Sequence, residues 1–222
     1  MLRWFQRLGP ESRGLEEIHV RFLQMLQDGR HIFDAAANSL LGGTDPEVIR
    51  EDLFRTDIRI NETEQRIRRE IVVHGSIHGA ATFPALLVMM SLVKDAERIG
   101  DYAKNLFDLA ILRPELGDEE ELTHLVEEKD RLSRLLVRSQ GLFDSHDVDA
   151  ARVFLKEADA FADRCDAEID RRIKSTGKNE ATLVLCLRYF KRVMSHAANI
   201  VTSIVMPVDK LDYYPGKAMS EQ

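Results

Sequence analysis

Oxygen-bearing side chains recur at near-helical spacing in two parts of this sequence. The two rows are Asp57, Asn61 and Glu64, and then Glu97, Asp101 and Asn105. Residues four apart lie one turn above each other on a helix, so each row shares one helix face. Two such rows on antiparallel neighbours would bring several oxygen atoms together, and facing carboxylates repel each other unless a cation lies between them. Oxygen-rich groups of this kind suit Mg, Ca, Mn or Fe, which makes the rows a candidate metal site. Solvated surface acids are the alternative, because this chain is rich in Asp and Glu.

The sequence contains an internal repeat, and repeats of this kind define the fold. The aligned pairs are Asp57 with Asp159, Asn61 with Asp163, Glu64 with Asp166, Arg98 with Arg192, Ala103 with Ala197, and Asn105 with Asn199. Surface acids have no reason to keep register between two diverged copies, so the repeat favours a functional role. The second copy has Lys191 and Ser195 in place of Glu97 and Asp101. We therefore predict a more complete first site and a weakened or lost second site.

The composition is ordinary for a globular protein, and its charge balance does not favour a nucleic-acid partner. The chain has 222 residues, 44% hydrophobic and 31% charged, with a formal net charge of −7. That balance argues against a nucleic-acid partner, since neutralising phosphates requires concentrated Lys and Arg. The most apolar stretch, Phe83 to Val93, is about half of the ~20 residues that a membrane span needs. Cys165 and Cys186 are expected to be a reduced, buried pair in a cytoplasmic protein, although a single disulfide is open to them.

Apolar residues recur at helical spacing almost throughout, and no alternating strand pattern is convincing. The pattern predicts six helices, over about 15–41, 46–74, 82–112, 118–142, 148–175 and 180–205. Gly75 and Gly79 are expected to break the second helix. The fold class is all-α, with two tandem three-helix repeats joined side by side into an elongated six-helix body. The expected segments are an N-terminal strap (1–14), the repeats (15–113 and 117–206) and a C-terminal tail (207–222). The alternative for the strap, which carries Trp4, is a membrane-surface segment.

The first copy resembles a known family. The run from Asp95 to Asn105, Asp-Ala-Glu-Arg-Ile-Gly-Asp-Tyr-Ala-Lys-Asn, is similar to the motif of the PhoU family of phosphate-system regulators. The row beginning at Asp57 resembles that family's partner motif, and the run from Arg188 to Ile200 resembles its second version. The likeness extends over nearly the whole chain, from about residue 15 to residue 205. It implies the two-repeat, all-α fold expected from the helix pattern.

The resemblance also implies a function and a ligand set. It implies a non-enzymatic, homodimeric, cytoplasmic regulator that restrains phosphate-starvation signalling through a phosphate ABC transporter ATPase and a sensor histidine kinase, reaching the membrane only through these partners. It further implies multinuclear metal clusters of iron or zinc, with Mg, Mn or Ca also compatible with the oxygen ligands. The residues that would bind metal are Asp57, Asn61, Glu97, Asp101, Asp159 and Asp163. Asn61, Lys191 and Ser195 depart from the family's acid pattern.

Two further histidine motifs suggest other metal chemistry. Glu16 with His19 and Glu121 with His124 are Glu-x-x-His pairs, the ligand type of ferritin-like di-iron bundles. A ferritin-like di-metal protein or enzyme is therefore an alternative, and a purely structural helical adaptor is another. The segment from His74 to His78 has ligand-like spacing, but the neighbouring glycines place it in a predicted loop, and two histidines are too few for a closed zinc site.

Overall fold

The computed structural model describes residues 12–79, 82–112, 116, 118–175 and 180–214 of the chain. These residues form long α-helices and one short 3-10 helix (Val208–Lys210), and no strand occurs among them. The helices are α1 (Ser12–Gly42), α2 (Pro46–His78), α3 (Phe83–Ile111), α4 (Glu119–Ser145), α5 (Val148–Ile173) and α6 (Ala181–Val205). The all-α fold expected from the sequence is confirmed.

Helix starts follow the capping residues that the sequence supplies. Asp45 accepts a hydrogen bond from the backbone N–H of Glu47, and Pro46 occupies the first position of α2. Asp118 and Glu121 form a reciprocal capping box at the start of α4. Asp147 caps α5 by accepting from two backbone N–H groups. Each cap satisfies donors that the first helical turn leaves without a partner.

Gly75 does not break α2, contrary to the sequence expectation. The helix continues to His78 and ends at Gly79, whose φ is 71°. Gly75 instead lies where α2 and α3 approach closely: a Cβ placed on it would be 3.1 Å from Leu86 Cδ1 and 3.2 Å from Phe83 Cε1. Its small size serves packing rather than a turn. The segment from His74 to His78 is consequently helical and not a loop.

The six helices form two groups of three that share one interface. In the first repeat α1, α2 and α3 pack on each other, and in the second α4, α5 and α6 do so. The repeats meet through α1 against α4 and α3 against α6, so α2 and α5 lie on the flanks. The apolar rows predicted for the first two helices are buried, including Phe22, Ile32 and Ile60. Both cysteines are buried and unbridged, as predicted.

A buried polar network joins α3 to α6 at the centre of the repeat interface. His196 Nδ1 donates to Asp95 Oδ1 over 2.7 Å, and Asn199 Nδ2 donates to the same oxygen over 3.0 Å. Asp95 is fully buried. Nearby, Arg192 Nε donates to the hydroxyl of Tyr102 over 3.0 Å, and the Tyr102 and His196 rings stack with centroids 5.7 Å apart. Since Tyr102 and His196 are aligned in the repeat, the two copies meet through equivalent positions.

The ends of the chain are described only in part. Of the predicted N-terminal strap (1–14), residues 1–11 lie outside the described residues, and Ser12 begins α1. Of the predicted C-terminal tail, residues 207–214 are described: the 3-10 helix lies here, and Val208, Leu211 and Tyr214 pack against the core. Residues 215–222 lie outside the described part. None of the described helices is long and apolar enough to cross a membrane.

Replacing Asp95 with alanine should destabilise the protein, because the buried donors of His196 and Asn199 would lose their acceptor. We expect a loss of about 1–3 kcal/mol in the free energy of unfolding, measured by urea denaturation. Asp170→Ala is the matched control, since Asp170 is exposed and pairs with Lys174 at 3.7 Å. Its effect should stay within about 0.5 kcal/mol. Equal stability of the two variants would contradict the role assigned to Asp95.

Candidate functional site

The two oxygen rows of the first repeat face each other across α2 and α3. Lys104 on α3 bridges them: its Nζ lies 2.9 Å from Asp57 Oδ1 on α2 and 3.0 Å from Asp101 Oδ1 on α3. Asn61 Nδ2 donates to Asp57 Oδ2 over 3.4 Å. The predicted ligands Asp57, Asn61 and Asp101 are therefore brought together, as the antiparallel packing of the two rows requires.

Glu97 is the most electrostatically perturbed carboxyl group of this cluster. Partial burial and the negative charge of Asp101, together with a hydrogen bond to Asp101 and the charge of Glu64, raise the pKa of Glu97 to about 7; Arg98 opposes this rise. The carboxyl thus gains protons near neutral pH, where an ordinary glutamate is ionised. Glu97 contributes to the same cluster as the other first-repeat ligands.

The chain supplies cations to this cluster from its own side chains. Lys104 serves Asp57 and Asp101, and Arg98 Nη1 lies 3.0 Å from Asp101 Oδ2. On α2, Arg68 Nη2 lies 2.8 Å from Glu64 Oε1. A metal ion would compete with these ion pairs for Asp57 Oδ1 and for both carboxylate oxygens of Asp101. Of all the described residues, no three or more His, Cys, Asp or Glu side chains are grouped so that they could hold a metal ion.

This arrangement does not fit the metal cluster that the family resemblance implies. The donor atoms are chemically suitable, because carboxylate and amide oxygens bind hard cations. The position between Asp57 and Asp101, however, is taken by the Lys104 ammonium group. Metal binding by the six predicted residues stays a prediction.

The second repeat presents its acids differently. Asp159 and Asp163 lie on an exposed part of α5. An ion pair joins α5 to α6 between Asp166 and Lys191, whose Nζ lies 2.5 Å from Asp166 Oδ2. Ser195 Oγ donates to the backbone carbonyl of Lys191 in its own helix, over 2.9 Å. The residue aligned with Asp101 thus makes a local helix contact.

Equivalent positions in the two repeats carry opposite charge pairings. In the first repeat Glu97 faces Glu64, and the two negative charges repel each other. In the second repeat the aligned residues are Lys191 and Asp166, which attract each other. The two halves thus differ by a charge reversal at one position on the third helix of the repeat. The predicted difference in metal binding between the two sites stays a prediction.

Sequence reasoning missed Lys104 and the pairing of Lys191 with Asp166. The signal for Lys104 was available, since it follows Asp101 by three residues and Glu97 by seven and therefore shares their helix face. Periodicity reports which face a lysine occupies. It does not report that the side chain crosses to a carboxylate on the next helix.

The two Glu-x-x-His motifs do not converge. His19 Nε2 lies 3.0 Å from Asp144 Oδ1 near the end of α4, and its ring stacks on Phe143. His124 lies 20 residues earlier on α4, about 30 Å away at 1.5 Å per residue. Glu121 participates in the capping box of α4 and pairs with Arg172. The geometry therefore gives no support to a ferritin-like di-metal centre.

The histidines at the end of α2 contact each other and the start of α1. The rings of His74 and His78 have centroids 4.2 Å apart. A Cβ on Gly14 would lie 2.8 Å from His74 Nδ1, so α1 passes directly over this ring. His74 is buried between two helices, which is a packing role.

Two comparisons with known proteins give a match. A family model for the PhoU domain matches residues 22–110, which contain α2, α3 up to its last residue and both first-repeat rows. Residues 22–110 of this chain are therefore similar to a PhoU domain. This match supports, over that range, the resemblance to the PhoU family that the motif from Asp95 to Asn105 indicates. No curated protein matches the chain at a significant level.

A solved PhoU structure extends the likeness over both repeats. The crystal structure of PhoU from Pseudomonas aeruginosa superposes with a TM-score of 0.70 at 21% sequence identity. The match covers 86% of this chain and 95% of that chain. At this level of identity the match establishes a common fold. The expected PhoU-like arrangement of two three-helix repeats is confirmed.

Glu97→Gln should make stability less dependent on pH. Because the pKa of Glu97 is raised to about 7, the folded protein binds this proton more tightly than the unfolded chain. The resulting stabilisation is fully present below the ordinary pKa of glutamate and is lost as pH rises through about 7. The glutamine variant lacks this titration. As the pH is raised from 5 to 8, its free energy of unfolding should therefore increase relative to that of wild type.

Urea unfolding in chelator-containing buffer at these two pH values measures the effect. Glu51→Gln is the control, because the Glu51 side chain on the same helix bundle is 91% exposed. If the free energy of unfolding of Glu97→Gln changes with pH as that of wild type and of Glu51→Gln does, the raised pKa of Glu97 is contradicted.

Proposed function

We propose that this protein is a non-enzymatic regulator of phosphate uptake and phosphate-starvation signalling. The single observation that carries the proposal is the PhoU-domain match over residues 22–110. The partners proposed from the family resemblance are the ATPase of a phosphate ABC transporter and a sensor histidine kinase. In this proposal the protein acts by recognition: a rigid helical body presents one face to a partner, and no chemical step is needed.

The exposed face of α2 supports a recognition role. This flanking helix exposes two apolar pairs at helical i,i+4 spacing, Phe54 with Ile58 and Val73 with Ile77, although its other face is buried on α1 and α3. Apolar side chains grouped on a solvent-facing helix mark a surface for protein contact. The corresponding flank of the second repeat, α5, exposes fewer, chiefly Val153 and Ile173. We propose α2 as the face that binds the partner proteins.

Co-purification of the tagged protein with the transporter ATPase and the sensor kinase tests the partner assignment. We expect the wild-type protein to retain at least one of them and the Ile58→Asp variant to lose it, because a charge on the exposed apolar face would have to be desolvated on binding. Val153→Asp on α5 is the matched control, since Val153 and Ile58 are exposed by 53% and 57%. The control variant should retain the partner.

The result that would contradict the proposal is absence of both partners at high and at low phosphate. The protein would then be a helical adaptor of another system. Equal loss of partner in Ile58→Asp and Val153→Asp would refute the α2 face alone. A cytoplasmic location and a homodimer stay predictions, which fractionation and light scattering on the same preparations measure.

A further inference from the structure

We infer that Lys104 and Lys191 are built-in cations that hold the acid-bearing helix faces of the two repeats together, in place of the metal ions that the family resemblance implies. This inference does not depend on which partner proteins bind. It rests on described side chains in both repeats, and it is an alternative to the prediction that the acid rows bind metal.

Lys104 has the position and the charge that this role requires. Its ammonium nitrogen lies within 3.0 Å of one carboxylate on each helix, Asp57 and Asp101, and its side chain is 27% exposed. A lysine ammonium group is charged at physiological pH, and here it forms ion pairs with both carboxylates. The ammonium group lies between two carboxylates of neighbouring helices and offsets one of their two negative charges.

Lys191 supplies the equivalent charge in the second repeat from a different position. It aligns with Glu97, whereas the residue aligned with Lys104 is Ala198. Lys191 reaches from α6 to Asp166 on α5. In both repeats a lysine on the third helix thus contacts an acid on the middle helix, although the two lysines occupy non-equivalent sites. The shared feature is a positive charge at this helix pair, although Asp166 aligns with Glu64 and is not one of the predicted metal ligands.

An ammonium group and a metal ion exclude each other at these oxygens. Metal ions bind carboxylate oxygens at about 2.0–2.6 Å, which places a divalent ion nearly where the Lys104 nitrogen lies. Two positive charges a few ångströms apart in a partly buried site repel strongly. Metal binding at Asp57 and Asp101 would therefore require Lys104 to leave, with loss of its two ion pairs. Because Lys104 already links α2 and α3, the association of these helices does not require a bound metal ion.

Lysine-to-methionine variants test the inference, since methionine keeps much of the side-chain volume without the charge. Wild type, Lys104→Met, Lys191→Met and a control, Lys174→Met, are purified without chelator. Each is incubated with Mn²⁺ or Zn²⁺ and desalted, and bound metal is measured by mass spectrometry. Thermal unfolding is followed with and without EDTA. Lys174 is the control because its side chain is 77% exposed and pairs with Asp170, only four residues earlier in the chain.

We expect wild type and Lys174→Met to bind no stoichiometric metal and to unfold at the same temperature with or without EDTA. Lys104→Met should unfold several degrees lower in EDTA, since a loss of about 1 kcal/mol shifts the midpoint by about 2–4 °C in a chain of this size. Zn²⁺ or Mn²⁺ should bind to this variant and restore its unfolding temperature, and a second substitution, Asp57→Ala, should abolish that binding. Lys191→Met should also be less stable than Lys174→Met.

Lys104→Arg keeps the charge. It is the control that distinguishes loss of the charge from a general folding defect at this position. It should retain the wild-type unfolding temperature and exclude metal. Stoichiometric metal in wild type, removed by EDTA with a fall in unfolding temperature, would overturn the inference and favour the predicted metal ligands. A Lys104→Met variant as stable as wild type and equally free of metal would overturn it as well.

Discussion

The apolar contact between α2 and α3 sets a register on which the polar contacts of the first repeat depend. Gly100 on α3 meets Ile60 on α2 so closely that an added Cβ would lie 3.3 Å from Ile60 Cδ1. Since the helices are antiparallel, the same register places Asp57 level with Lys104 and Glu64 level with Glu97. Burial of the apolar rows drives the packing of α2 on α3. As a consequence, acidic side chains of the two helices lie opposite each other. Their charges must then be neutralised by protons or cations.

The repeats solve this problem in two ways. The first keeps acids on both helices and neutralises them with Lys104, with Arg98 and with partial protonation of Glu97. The second replaces one acid by Lys191, which pairs directly with Asp166. The first cluster therefore stores electrostatic repulsion that the second lacks. Such a cluster responds to pH, and it lies in the first repeat, between the flanking helix α2 and the central helix α3.

Much of the fold could be predicted from the sequence because its elements are long and strongly periodic. The six helices, their order and the buried rows containing Phe22 and Ile60 follow from apolar spacing and capping residues. Gly75 was misread because one glycine can either end a helix or allow another helix to approach, and sequence alone does not distinguish these. The end of α2 was therefore placed four residues too early.

The site was predictable only in part, for a different physical reason. Spacing placed Asp57 and Asp101 on faces that meet, and the family motif pointed to the same residues. The cations were missed because a lysine side chain reaches across a helix pair, and its partner depends on the register between helices. The link between Asp95 and His196 was missed for the same reason, since these residues are 101 positions apart in the chain. Polar pairs between distant residues depend on how the helices pack, and local periodicity does not predict that packing.

A crystal structure of the protein grown with Zn²⁺, with anomalous diffraction measured at the zinc edge, tests the central claim most directly. The account predicts the Lys104 nitrogen within hydrogen-bonding distance of Asp57 and Asp101, with no anomalous peak between α2 and α3. A zinc ion bonded to Asp57, Glu97 or Asp101, with the Lys104 side chain displaced into solvent, would contradict it.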